Sequence, residues 1–391
     1  MKKNLFGRYR GRRVLPAMLA AILLAGGIRG SALAAEPGAL HSAEEMEHLA
    51  DNTLEWYEID GLISEYNAAV VKNRNEYNTD KRRTYDAQQV RDYLIEQADD
   101  MDAEADTLAD TSAMLSASNR VLANQLRLQA ESSVLDGRVL QLGYDLVEKQ
   151  TAANARTAFL NYYGSLYETE FAEQNIAYLE RLYASAQNRR NFGMGTETEL
   201  LTAKENLENA RAGLLSTRTT LANTRNALLV MCGWVYDSDG VIGPLPAMTP
   251  EEALAVDPAA DRETANAANL TLQMDRIKLD NARKGSYTVL VIEQNENQLK
   301  TDSDTFGINF QAAYDKLVNA CSAYRNAVGE RGVADHSLAA AERQAGLGTI
   351  SQIELEGARN AQRSALLAER KAYLAMLQAR AAYDSAVSGN L

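Results

Sequence analysis

Apolar and small residues recur every seven positions along two long stretches of the chain. Leu200, Leu207, Leu214, Leu221 and Leu228 form one row, with Ala203, Ala210, Thr217 and Thr224 three positions later. Ala358, Ala365, Ala372, Ala379 and Ala386 form a second row, and Ala361, Ala368, Ala375 and Ala382 run beside it. A sustained heptad keeps one seam of a helix against its neighbour and imposes a left-handed supercoil, and alanine in the seam lets two backbones approach closely. An antiparallel bundle core needs the same period, so the heptad alone does not choose between the two. Upstream, Leu128, Leu135 and Leu142 continue the spacing inside a proline-free run from about Asn119 to Phe192. That run predicts a helix of roughly 100 Å at about 1.5 Å per residue, with Gly137, Gly143 and Gly164 as places to bend.

Proline marks where long helices cannot be, because it lacks a donor and clashes with the preceding turn. Beyond the N-terminal segment it occurs only at Pro37, Pro244, Pro246, Pro250 and Pro258. The flanking stretches are rich in good helix formers, so the chain reads as all-α: a helical repeat over 35–232, a Pro-containing linker over 233–258 and a second repeat over 259–391. Each repeat carries a reversal between helices. Gly193-Met194-Gly195-Thr196 supplies the first and Gly346-Leu347-Gly348-Thr349 the second. Gly193 and Gly346 are expected to take the left-handed conformation that stops the incoming helix. Thr196 with Glu199, and Thr349 with Gln352, each spell a capping box for the outgoing one. Arg189, Arg190 and Arg343 place positive charge where the macrodipole of the incoming helix favours it.

Residues 1–34 change the picture of where the chain works. Six basic residues, an apolar run from Val14 to Gly26 and Ser31-Ala32-Leu33-Ala34 have the order of a secretory signal cleaved after Ala34, and the run is too short for a stable membrane anchor. No cysteine follows it, so a lipoprotein anchor is not expected. Without residues 1–34 the chain has 33 basic and 53 acidic side chains, a net of −20, which makes nucleic acid a poor partner. Cys232 and Cys321 are the two cysteines, and either a single bridge or two buried thiols fits them.

Candidate chemistry is sparse. His41, His48 and His336 are scattered, and no phosphate loop, nucleophile motif or zinc-helix motif occurs, so neither an enzyme, a cofactor site nor a metal site is expected. The acidic run Asp99–Asp110 lacks the glycine turn that would wrap a cation, and reads as a solvated helix face or hairpin tip. Trp234 and Tyr236 in the linker fit either a partner grip or packing on the helices.

A signal segment, two helical halves around a Pro-containing linker, and one glycine-containing reversal per half together resemble the TolC family of envelope efflux ducts. The likeness is carried best by Tyr178–Trp234 and Leu338–Gly389, while Leu54–Tyr77 and Leu254–Ala282 resemble the family's opening helix, with its Asn-Pro reduced to Asp257-Pro258. The resemblance implies a homotrimeric hollow α-barrel whose tips, here Gly193, Met194, Gly195, Thr196, Gly346, Leu347, Gly348 and Thr349, meet a periplasmic adaptor (membrane fusion) protein serving an inner-membrane pump. It places the chain in the cell envelope: outer membrane or periplasm where two membranes exist, the extracytoplasmic surface where only one does.

The chain departs from the family where members that cross an outer membrane carry barrel strands. Lys81 to Asn119 holds Asp99-Asp100-Met101-Asp102-Ala103-Glu104-Ala105-Asp106 instead of an alternating pattern, and only Tyr287 to Ile292 has β character. Charges of that density do not face lipid. The expectation is therefore a TolC-like protomer with helical connections in place of the barrel. Two other classes remain beside it: a structural coiled-coil protein without a channel, and an adaptor, which would need β-rich domains flanking its hairpin. Reversals that serve only as turns are the plain counterpart of reversals that dock.

Overall fold

A computed structural model describes residues 42–109, 112–285 and 287–391. The expected export signal over 1–34, Pro37 and His41 lie outside the described residues. The helices are α1 (Ala43–Leu49), α2 (Ile59–Tyr66), α3 (Ala68–Thr79), α4 (Ala87–Leu108), α5 (Ala113–Ser132), α6 (Gly137–Asn191), α7 (Glu197–Met231), α8 (Pro250–Ala253), α9 (Pro258–Ala268), α10 (Leu270–Lys284), α11 (Val289–Gly346) and α12 (Gln352–Val387). Among the described residues the only strands are β1 (Thr53–Leu54) and β2 (Val241–Ile242), a parallel pair two residues long. The fold is all-α, and within Lys81 to Asn119 the described residues hold α4 and the start of α5 and no strand.

Four long helices form a layer in which α7 packs on α6, α6 on α12 and α12 on α11. At about 1.5 Å per residue, the 55 residues of α6 span roughly 80 Å. The heptad explains the packing of α7 residue by residue. From Leu200 to Thr224 every position outside Leu200, Ala203, Leu207, Ala210, Leu214, Thr217, Leu221 and Thr224 is exposed. On α12 the row Ala358 to Ala386 is covered, while Ala361, Ala368, Ala375 and Ala382 are exposed. Ion pairs lace the layer: Arg218–Glu173 (2.7 Å) and Arg211–Glu180 (2.9 Å) join α6 to α7, and Arg331–Glu369 (2.9 Å) joins α11 to α12. Glu168–Lys371 (2.5 Å), Glu170–Arg370 (2.7 Å) and Arg181–Glu356 join α6 to α12. Residue numbers rise along α6 as they fall along α12, so the two are antiparallel and both reversals lie at one end. Those exposed on both sides contribute about 0.2–1 kcal/mol each and mainly fix register; in Arg181–Glu356 the carboxylate is buried.

The two halves share a second feature that the residue pattern did not reveal. Asn67 breaks α2 from α3, and Asn269 breaks α9 from α10, with nearly equal backbone angles (φ −68°, ψ 118° and φ −60°, ψ 116°). Each side-chain oxygen caps the outgoing helix, accepting from Ala69 and Val70 N–H in one case and from Leu272 N–H in the other. The returning long helix then ends against that break. Asn67 Nδ2 donates to Met231 O (2.8 Å), and Leu270 N donates to Gly389 O (3.1 Å). The ends of α7 and α12 at Gly233 and Gly389 are the roots of the two hairpins.

One apolar cluster surrounds each root. The first joins Leu54, Ile59, Leu62, Ile63, Phe159 and Leu228, and the second joins Phe306, Phe310, Leu317, Met376 and Tyr383. Each fully buried side chain of this size contributes about 1.5–3 kcal/mol. Cys232 sits in the first cluster and Cys321 in the second, both as free thiols, so the single bridge is not formed.

Two expectations fail here. Asn119 to Phe192 is not one helix, because α5 stops at Ser132 and α6 starts at Gly137 with Asp136 as its N-cap. Leu128 is 66 % exposed on a separate helix, while Leu135 belongs to the turn. Tyr287 to Ile292 is not a strand. Thr288 caps α11, which begins at Val289, and its apolar run instead covers Val134 through Val291 and Ile292.

Candidate docking site at the two hairpin tips

Both tips are built by the same hydrogen bonds. In the first, Gly193 N donates to Arg190 O (2.9 Å) and Met194 N to Arg189 O (2.8 Å). In the second, Gly348 N donates to Ala345 O (3.0 Å) and Thr349 N to Gln344 O (2.9 Å). This is the Schellman pattern, with Gly193 at φ 70° and Gly348 at φ 71°. The left-handed glycine of the second tip is thus Gly348, and Gly346 is the last residue of α11, in ordinary helix. The cap moves with it. Thr196 and Glu199 form the capping box of α7, as the residues suggest, but Ser351 and Glu354 form that of α12. Thr349 instead donates its hydroxyl to Gln344 O (2.9 Å). The reading of Gly346 and of a Thr349–Gln352 box therefore placed the second tip two residues early. Two glycines so close each satisfy the stop signal, and the outgoing cap decides between them.

In the corrected register Phe192 matches Leu347, Gly193 matches Gly348, Met194 matches Thr349 and Thr196 matches Ser351. Phe192 (75 % exposed) and Leu347 (80 %) therefore stand at the same place in the two tips, with Met194 (66 %) beside the first. A large apolar side chain left open at a helix end lacks a packing role within its own chain. Phe192 was not among the residues singled out from the sequence, because a helix ending in an aromatic looks like ordinary core. The first tip is further fixed by Arg190–Glu197 (2.5 Å), with Arg189 near Glu199 (3.9 Å). Further up α12, Glu356 is buried and accepts from Arg359 (2.9 Å) while also pairing with Arg181 across the layer. The two hairpins are thereby tied together just behind their tips.

Other residues considered from the sequence fall out as follows. The acidic run is spent on its own hairpin: Arg127 pairs with Asp99 (2.8 Å) and Asp102 (2.6 Å), and Arg120 with Asp106 (3.0 Å). Asp110 lies outside the described residues. Trp234 packs on the first cluster, and Tyr236 is 67 % exposed. His48 lies on α1 and His336 on α11. Among the described residues no group of His, Cys, Asp and Glu is placed to hold a metal ion, and no helix is long and apolar enough to cross a membrane.

No family model matches the sequence, and no curated protein matches it. Solved structures do. The Campylobacter jejuni CmeC outer membrane channel is 14% identical, over 68% of this chain and 68% of that one, with a TM-score of 0.45. CusC, described in connection with transmembrane channel formation, is 11% identical over 94% of this chain and 99% of that one, with a TM-score of 0.49. The open state of the Neisseria gonorrhoeae MtrE outer membrane channel is 17% identical over 65% and 71%, with a TM-score of 0.39.

Proposed function

We propose that the chain is a TolC-like component of an envelope efflux or export system. Three copies join through the free sides of α7 and α11 to make a duct, and the two tips of each copy dock on a periplasmic adaptor protein that serves an inner-membrane pump. The chain itself catalyses nothing. The observation that carries this reading is the pair of superimposable tips at one end of a four-helix layer, each exposing an apolar side chain, Phe192 or Leu347, beside an open left-handed glycine. Exposed apolar residues also lie along the outer helices, Leu215 on α7 and Ile308 and Val333 on α11, where a neighbouring copy would cover them. With helices in place of barrel strands, the chain works at the envelope without closing a barrel of its own.

The test replaces Phe192, Met194 and Leu347 with Glu in the chain expressed in its native envelope. Helix content and oligomer mass should be unchanged, because none of the three side chains is needed by the turns. Recovery of the adaptor that co-purifies with the wild-type chain should fall by about tenfold or more, as a loss of roughly 1.4 kcal/mol implies, and export should fall with it. Undiminished export and adaptor recovery would reduce the tips to turns. An oligomer without a solvent-filled channel would favour a structural coiled coil instead.

A further inference from the structure

The α4–α5 hairpin has two outer sides of opposite character. Its inner seam is Val90, Leu94 and Ala98 on α4 against Ala123, Leu126 and Ala130 on α5. At about 100° per residue, Met114, Ser118, Val121, Gln125, Leu128 and Ser132 fall on the strip of α5 that points directly away from α4. All six are exposed, with Met114 84 %, Val121 56 % and Leu128 66 % open. The strip carries no charge, since Arg120 and Arg127 turn back to α4. The outer side of α4 is the reverse, with exposed Asp92 and Glu96. The base of the hairpin is pinned to the second half of the chain: Tyr287 Oη donates to Ser133 O (2.7 Å), and Asn281 Nδ2 donates to Val134 O (3.0 Å) and Asp136 Oδ2 (3.1 Å). Gly137 N donates to Tyr85 O (2.9 Å) across the base itself.

We infer that this α5 strip packs against the same strip of a second copy of the chain. Met114, Val121 and Leu128 are a heptad row, the spacing at which one helix seats on an equivalent helix. Charge decides the occupant. Two such strips meet with no charge between them, while each acidic α4 stands one further helix behind, about 10 Å away, beyond a screening length of about 8 Å. A basic partner finds no anion on the strip, and a lipid surface would bury the polar side chains of Ser118 and Gln125 away from water. The area is small. A 20-residue helix seam falls well short of the roughly 800 Å² per partner of a stable complex, so the contact forms only within a larger assembly. The inference therefore rests on the homo-oligomer proposed above and adds that the α4–α5 hairpins of its copies meet one another.

Val121→Cys in the full chain, treated with a short bis-maleimide, tests it. The native thiols do not interfere, because both are buried, and burial pushes the Cys232 thiol up to about 12. Light scattering supplies the oligomeric mass in parallel, and Asp92→Cys on the acidic side is the control. The expected result is an oligomer in which Val121→Cys shifts to twice the chain mass, Asp92→Cys stays at one, and adding Leu128→Glu abolishes the shift at unchanged helix content. An oligomer whose Val121→Cys stays at one chain mass overturns the α5 contact and leaves the duct standing. A solution monomer with no shift removes both. Equal shifts for both cysteines mean random collision and also overturn the contact.

Discussion

Each of the four long helices ends on a left-handed glycine, yet the two tips and the two roots stand in opposite surroundings. At the roots, Gly233 N donates to Val230 O and Trp234 N to Leu229 O, and Gly389 N donates to Ala386 O and Asn390 N to Ser385 O, the same pattern as at the tips. A Cβ at Gly233 (φ 97°) would collide with Tyr66, and one at Gly389 (φ 95°) with the Ala268 carbonyl. At Gly193 and Gly348 a Cβ would meet nothing. The roots need glycine twice, for conformation and for the close approach of the asparagine breaks. The tips need it once. The tips therefore leave the space around the backbone open, as the proposed docking requires.

The largest expected effect tests that contrast directly. Alanine in the left-handed region costs about 1–2 kcal/mol, and forcing atoms into a filled site adds about 1–3 kcal/mol. Gly233→Ala and Gly389→Ala should therefore each destabilise by about 3 kcal/mol or more. Gly193→Ala and Gly348→Ala should each cost about 1 kcal/mol. Denaturant midpoints at equal m-value measure all four. Equal losses at tips and roots would erase the distinction.

How far these ends were legible in the sequence depends on what marks them. The α7 seam was readable residue by residue, because a helix covered on one side alone imprints its period on the chain. The break between α5 and α6 was not found, since a seven-residue spacing of leucines survives any interruption that keeps the count. Asp136-Gly137 was the available signal there, an N-cap followed by the first helical residue. At the second tip Thr349-x-x-Gln352 and Ser351-x-x-Glu354 both spell a cap, and only the three-dimensional stop at Gly348 selects the latter. Asn67 and Asn269 lie inside Leu54–Tyr77 and Leu254–Ala282, each of which was read as one opening helix. Asparagine inside a helical run is a weak former that favours caps, and its recurrence at the same place in both halves was the clue.

A middle-sized effect separates glycine-built ends from a charge-built one. Helix α6 starts on Asp136, which is buried, accepts from Val139 N–H (3.0 Å) and pairs with Arg138 (2.7 Å). Burial pushes this carboxyl up, but the Val139 N–H, the Arg138 guanidinium and the Asn281 amide together outweigh it and hold it below the usual carboxylate range. A carboxylate held down in the folded state contributes stability that is fully present above its unfolded pKa and is lost as pH falls through the folded one. Hydrogen-exchange protection around Ser133–Val139 should therefore weaken as pH falls from about 4, while the roots, whose caps are glycine and backbone, show no matching loss. Asp136→Asn should remove that pH dependence and cost about 1.5 kcal/mol at neutral pH. Protection that is flat with pH in the unsubstituted chain would show that the Asp136 charge does not hold this junction.

The smallest effect sharpens the match between the two tips. Ser351 accepts from Glu354 N (3.3 Å), while the Glu354 carboxylate accepts from Ser351 N (2.7 Å), so the hydroxyl satisfies an N–H that helix geometry leaves open. Ser351→Ala should cost about 1 kcal/mol, the usual loss for an N-cap. Thr349 lies outside that box, and its hydroxyl serves one exposed carbonyl that water can serve as well. Thr349→Ala should therefore cost less than half as much, and Thr196→Ala, the true counterpart of Ser351, should match the serine. Thermal midpoints of the three variants in one buffer decide the matter. A larger loss at Thr349 than at Ser351 would put the second cap two residues earlier, break the equivalence of Phe192 with Leu347, and remove the reason to expect both tips to present the same surface.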